Sequence, residues 1–281
     1  MGVLFSTSVG CANQPKLRQT VCRKPDRNGI SVNFPNHEVT TRSLDMLESS
    51  SWLDEDSKCT IVVSRPGAER NLWEEYLSGA QLSYHKYGVD AALDWDEIAD
   101  GSDTALFFAA VDDSGKVVGG CRAKAPYRSA EESHAVLEWE GQPGQATVRK
   151  MINDRIPFGL SEMKTAWVSD DPSQGRSLTT TLARTAMHTM AALDIQFIMA
   201  TAAAHILDRW RSSGGVVVSR IPATPYPDER YRTKIMFWDR RTYANHAQPN
   251  QVAKVLAEAA YLSPVTHRLH SVPATAAGAR L

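Results

Sequence analysis

Hydrophobic residues fall along this chain in runs whose period shifts between two and about 3.6, which separates strands from helices. Thr60-Ile61-Val62-Val63 reads as a first strand, closed by Pro66-Gly67. From Glu69, the positions Leu72, Trp73, Tyr76, Leu77, Ala80, Leu82 and Tyr84 predict a helix with one buried face. Residues 104–111 and 116–124 are strand runs joined by the hairpin turn Asp112-Asp113-Ser114-Gly115. A polar, weakly patterned stretch follows to about Gly141. Residues 145–155 predict a helix stopped by Pro157, and residues 159–169 a strand. Residues 177–193 predict a helix with Leu178, Leu182, Ala186, Met190 and Leu193 on one face. A strand over 195–201, a helix over 203–211 and strands over 216–221 and 231–238 complete the series.

The order β-α-β-β-α-β-α-β-α-β-β predicts a mixed α/β fold, with antiparallel hairpins early and late around a parallel-type crossover. Residues 1–57, rich in Ser, Thr, Asn and Pro, are expected to form a poorly ordered N-terminal extension. Residues 58–245 form the expected domain, and residues 246–281 a C-terminal extension whose one short helix carries Val252, Val255, Leu256 and Ala259.

Composition narrows the function classes. At 281 residues with 42% hydrophobic and 22% charged positions, the chain suits one globular domain with extensions. A net charge of -1 gives no basic footprint for nucleic acid, and no apolar run approaches the roughly 18 residues of a membrane span. Cys11, Cys22, Cys59 and Cys121 form no Cys-x-x-Cys pair, and the first residues lack the features of a signal peptide, so a reducing, cytoplasmic setting is expected. The histidines show no metal-ligand spacing, and the spacing around Gly175 does not fit a dinucleotide fingerprint.

The candidate chemistry lies in residues 163–215. An apolar run ending at Val168 meets the turn Ser169-Asp170-Asp171-Pro172-Ser173-Gln174-Gly175-Arg176-Ser177, and a helix pattern begins at Leu178. Strand, glycine-bearing turn and helix N-terminus gather unpaired N–H groups and the positive end of the helix dipole, which suits a phosphate. The plainer reading is an ordinary helix start with Ser173 as N-cap.

In that setting the chain resembles the GNAT acyltransferase superfamily over about residues 60–240. The family's pyrophosphate loop reads Gln/Arg-x-x-Gly-x-Gly/Ala, and the corresponding positions are Pro172-Ser173-Gln174-Gly175-Arg176-Ser177. Gly175 is in place, Ser177 is the last small residue, and Pro172 replaces the Gln or Arg. Trp210-Arg211-Ser212-Ser213-Gly214-Gly215 occupies the place of Tyr-x-x-x-Gly-Phe. Trp210 thus stands where many members have the tyrosine that protonates the leaving thiolate, and Ala203 near an asparagine that contacts pantetheine. A narrower resemblance is to the acyl-homoserine-lactone autoinducer synthases and related N-acyl amino acid synthases. It rests on residues 90–122, ending in Val117-Val118-Gly119-Gly120-Cys121-Arg122, and on Glu162 in the pattern Glu-x-x-Arg, where Thr165 replaces the Arg.

The resemblance implies a single GNAT-like α/β domain, with a central mixed, mostly antiparallel twisted sheet flanked by helices and flexible terminal extensions. It implies an N-acyltransferase that moves an acyl group from an acyl thioester to a small-molecule amine by direct attack, without a metal. The co-substrate would be acyl-CoA or acetyl-CoA, with acyl carrier protein as the other donor. Ser173, Gln174, Gly175, Arg176, Ser177 and Trp210 would hold the donor, and the main chain at Val168 would face its carbonyl.

Glu162 is the candidate general base, because a free ammonium near pKa ~10 is mostly protonated at pH 7 and must lose a proton before attack. Its other reading is a strand carboxylate paired with Lys164. Arg122 would hold an acceptor carboxylate or make a structural ion pair, and Trp167 would line the substrate side or belong to the core. Pro172, Ala203 and Trp210 also fit a second reading, a degenerate GNAT domain that binds an acyl thioester or a protein partner without turnover.

Overall fold

A computed structural model of the chain describes residues 49–93, 95–170 and 175–262. Among the described residues, eight strands form one sheet: β1 (Ser50–Asp54), β2 (Cys59–Ser64), β3 (Thr104–Val111), β4 (Val117–Lys124), β5 (Leu160–Val168), β6 (Phe197–Ala203), β7 (Val216–Val217) and β8 (Thr233–Asp239). They lie in the order β1-β2-β3-β4-β5-β6-β8-β7. Every neighbouring pair is antiparallel except β5 and β6, which run parallel. The helices are α1 (Arg70–Lys86), α2 (Trp95–Ile98), α3 (His134–Glu138), α4 (Gln145–Asn153), α5 (Gly175–Ala192), α6 (Leu207–Arg211) and α7 (Pro249–Leu262). This is the mixed, mostly antiparallel sheet flanked by helices that the sequence leads one to expect.

Strand β3 explains why both faces of the sheet are covered. Leu106, Phe108 and Ala110 pack into a core with α5, while the alternate residues Phe107 and Ala109 pack with Trp73, Tyr76 and Leu77 of α1. A strand buried on both faces reads as a continuous apolar run instead of an alternating one. A third cluster joins α3 and α4 to Leu160 of β5, Met199 of β6 and Phe237 of β8.

The structure departs from the sequence reading at several points. The sheet begins at β1, inside the segment read as an extension, because Trp52 and Asp54 turn inward (5% and 3% exposed) while Leu53 is 58% exposed. Strand β7 has two residues instead of six, and α3 lies in the stretch that carried no visible period. Helix α7 packs against the domain through a buried ionic network. Arg184 of α5 donates to Glu258 of α7 at 2.6 and 3.0 Å and to Asp54 of β1 at 2.5 Å. His188 stands 2.8 Å from Glu258, and Thr181 donates to Asp54 at 2.8 Å. The expected extensions over residues 1–48 and 263–281 lie outside the described residues. Among the described residues, no helix is long and apolar enough to cross a membrane.

Candidate active site

The parallel pair sets the geometry of the site. Strands β5 and β6 pair only where Leu160, Ser161 and Glu162 meet Phe197, Ile198 and Met199; beyond that they part. Strand β5 continues against β4, and β6 against β8. A bulge bends β5 at this point: Gly120 faces Trp167 and Arg122 faces Lys164, so Thr165 and Ala166 together oppose Cys121. Thr165 takes a left-handed conformation with φ of 52°. Such a residue costs roughly 1–3 kcal/mol and persists only where neighbours hold it. Here Tyr76 donates its hydroxyl to the Thr165 carbonyl at 2.7 Å, and Arg122 Nε donates to its Oγ1 at 3.1 Å.

Between the parted strands lies a cleft of about 220 Å³. Residues 163–166 of β5 form one side and residues 200–203 of β6 the other, with Tyr84, Trp210, Tyr226 and Tyr231 closing around them. Glu138, the last residue of α3, reaches into this lining although its side chain is only 1% exposed. Its Oε1 accepts from Lys164 Nζ at 2.9 Å and Thr201 Oγ1 at 2.8 Å, and His134 Nδ1 lies 3.0 Å away. Its Oε2 has no hydrogen-bond partner among the described residues. Burial opposes ionisation of Glu138, but the Lys164 ammonium and the His134 hydrogen bond outweigh it and hold the carboxyl down to about 2. The Lys164 ammonium is likewise raised: burial works against its charge, and Glu138 and then Glu162 more than compensate.

Glu162 lies on the same face of β5 as Lys164 and is fully buried. Tyr127 donates to its Oε2 at 2.5 Å and Ser133 at 3.0 Å, and the same Ser133 hydroxyl caps α3 by accepting from the Ala135 N–H. Its Oε1 sits 3.8 Å from Lys164 Nζ and accepts no hydrogen bond among the described residues. Glu162 therefore lies behind the cleft lining, and Glu138 is the carboxylate within it.

The remaining sequence candidates divide into several groups. Trp210 lines the cleft; it is 7% exposed, and its indole N–H has no partner among the described residues. Val168 pairs with Gly119 on the β4 side of β5. Gly175, Arg176 and Ser177 form the first turn of α5, which follows β5, while Ser173 and Gln174 lie outside the described residues. Arg122 is 3% exposed and engaged with Asp103 at 2.7 Å and Thr104 at 2.9 Å as well as Thr165. Trp167 packs under α1, where a Cβ on Gly79 would meet its ring at 2.1 Å. Neither Arg122 nor Trp167 lines the cleft.

Sequence reasoning did not single out Glu138, His134 or Thr201. The available signal was the i,i+4 spacing of His134 and Glu138, which puts both on one side of a helical turn. A wider, open groove of about 610 Å³, lined by Asp208, Arg211, His246 and Gln248 among others, contains no such buried ionic cluster. Among the described residues, no group of three or more His, Cys, Asp or Glu is placed to hold a metal ion.

No family model matches the sequence. The uncharacterized protein Rv1356c of Mycobacterium tuberculosis is 52% identical over 241 residues, which is 86% of this chain and 92% of that protein. Among solved structures, the chain is similar to BjaI, a CoA-dependent acyl-homoserine lactone synthase solved with SAM and isopentyl-CoA. Identity is 16%, covering 72% of this chain and 90% of that one, with a TM-score of 0.47. It is also similar to FeeM, an N-acyl amino acid synthase from uncultured soil microbes, at 11% identity, covering 69% and 98%, with a TM-score of 0.46.

Proposed function

We propose that this chain, which belongs to the same family as the Mycobacterium tuberculosis protein Rv1356c, is a GNAT-type N-acyltransferase that moves an acyl group from an acyl thioester to an amine. The observation that carries this reading is the parting of β5 and β6 around the cleft, with α5 beginning after β5. Parted strand edges leave main-chain N–H and C=O groups turned toward the gap, and an extended acyl-pantetheine arm pairs with such an edge. The first turn of α5, with Gly175, Arg176 and Ser177, then receives the phosphates of CoA, together with Ser173 and Gln174 before it. Acyl carrier protein is the other donor with the same arm. The buried free thiols Cys59 and Cys121 accord with a reducing, cytoplasmic setting.

In the proposed reaction the neutral amine nitrogen attacks the thioester carbonyl carbon, the C–N bond forms, and the C–S bond breaks with its electron pair leaving on sulfur. The main chain at Val168 faces the carbonyl oxygen, where one donor typically contributes about 10²–10³-fold. The amine arrives as its ammonium and first passes one proton through water to Glu162, whose Oε1 accepts no other hydrogen bond among the described residues; the second proton, released as the amide forms, goes through water to the leaving thiolate sulfur. Glu138, held down to about 2, is a poor proton acceptor and serves binding instead. Arg122 acts from behind the strand, holding the bulge through Thr165.

Trp210 favours a second reading, in which the domain binds a thioester without turnover, since an indole does not protonate a leaving thiolate. Incubation with acetyl-, butyryl- and long-chain acyl-CoA, with and without a pool of amines, separates the two. Amine-dependent release of free thiol supports the enzyme; tight binding with no thiol release from any donor supports the binding domain.

A further inference from the structure

We infer that the acceptor is a primary amine without a carboxylate, its nitrogen held by Glu138 in the cleft; the inference rests on the acyltransferase reading of that cleft.

Three observations converge on it. Glu138 receives its donors on Oε1 alone, from Lys164, Thr201 and His134, while Oε2 has none among the described residues. A buried carboxylate oxygen without a donor is costly, and an ammonium brings three N–H donors to it. The cleft around Glu138 is lined by Tyr84, Tyr226, Tyr231 and Trp210, and aromatic ring faces attract a cation.

The third observation is the inventory of charge. Lys164 is the ammonium in the cleft lining, and it already faces two carboxyl groups, Glu138 at 2.9 Å and Glu162 at 3.8 Å. Arg122, the residue a carboxylate-bearing acceptor would need, is held behind β5 by Asp103, Thr104 and Thr165. An amino acid would bring another negative group beside Glu138, with no uncommitted cation among the described residues of the cleft lining to meet it. Like charges placed together in this way reject a ligand.

The test is calorimetric titration of the full chain, with and without CoA present, using n-butylamine and its carboxylate counterpart 4-aminobutyrate as probes. The expected result is at least tenfold tighter binding of n-butylamine. Glu138→Gln should weaken n-butylamine roughly tenfold to a hundredfold, the loss of a hydrogen bond to a charged group. Should that variant fail to fold, Tyr226→Leu keeps the carboxylate and removes one ring, and it should weaken n-butylamine about two- to fivefold. Absent binding of n-butylamine, equal or tighter binding of 4-aminobutyrate, or undiminished amine binding in a folded Glu138→Gln protein overturns the inference. Amine binding without thiol release from any acyl-CoA leaves this subsite standing and removes the acyltransferase reading. Thiol release with amino acids but not with n-butylamine does the reverse.

Discussion

Lys164 Nζ stands 2.9 Å from Glu138 Oε1, joining the central strand to the end of α3 where β5 and β6 diverge. The folded carboxyl titrates near 2 against an ordinary value of 4.5, so its stabilising contribution is full above about 4.5 and is lost as pH falls toward 2. Urea midpoints measured across that window should fall less steeply with acid in Glu138→Gln than in the parent protein. The variant should also be less stable at neutral pH, because Lys164 loses its nearest countercharge. Identical slopes would show that this pair does not govern the acid response.

Glu162 offers a separation between chemistry and binding. Glu162→Gln keeps the size of the side chain and its reach to Tyr127 and Ser133, and removes its basicity. Turnover should drop about 10²–10⁴-fold while acyl-CoA affinity changes little, read by steady-state kinetics beside calorimetry. Near-normal turnover would remove Glu162 from the mechanism and leave it a structural carboxylate.

The ionic network of Arg184, Asp54, Glu258 and His188 binds β1 and α7 to α5. Removing Glu258 leaves the buried Arg184 with Asp54 as its remaining carboxylate and takes away the carboxylate beside His188; breaking a buried pair typically costs up to about 3–5 kcal/mol. Glu258→Ala should therefore unfold at markedly lower urea, and deletion of residues 249–281 should destabilise at least as much. A change under about 0.5 kcal/mol in Glu258→Ala would show that the network contributes little.

Gly79 of α1 is fixed by the ring of Trp167, which a Cβ would meet at 2.1 Å. Gly79→Ala should push α1 away from β5 and destabilise by about 1–3 kcal/mol, despite the better helix propensity of alanine. A stabilised variant in thermal melts would mean that Trp167 moves aside freely.

Buried elements were legible in the sequence where the apolar pattern is dense: β3 is a continuous apolar run, β5 carries Met163, Ala166, Trp167 and Val168 toward its end, and α5 shows a helical stripe. The strand, turn and helix around Glu162 could be placed for the same reason. Strand β1 was hidden because only Trp52 marks its inner face as hydrophobic; the other inward residue, Asp54, is there to meet Arg184. Helix α3 has five residues, too few for a period to emerge, so Glu138 and His134 fall within a polar, weakly patterned stretch. The bulge at Thr165 was beyond local pattern altogether. Its left-handed backbone is imposed by Tyr76 and Arg122, which tertiary folding alone brings to it.

Hydrogen–deuterium exchange of the full chain with and without acyl-CoA reports whether an acyl thioester lies in the gap between β5 and β6. Exchange should slow at residues 163–168, at residues 200–203 and in the first turn of α5. Unchanged exchange there under saturating acetyl-, butyryl- and long-chain acyl-CoA, or protection confined to the groove beside Asp208 and His246, would contradict that placement.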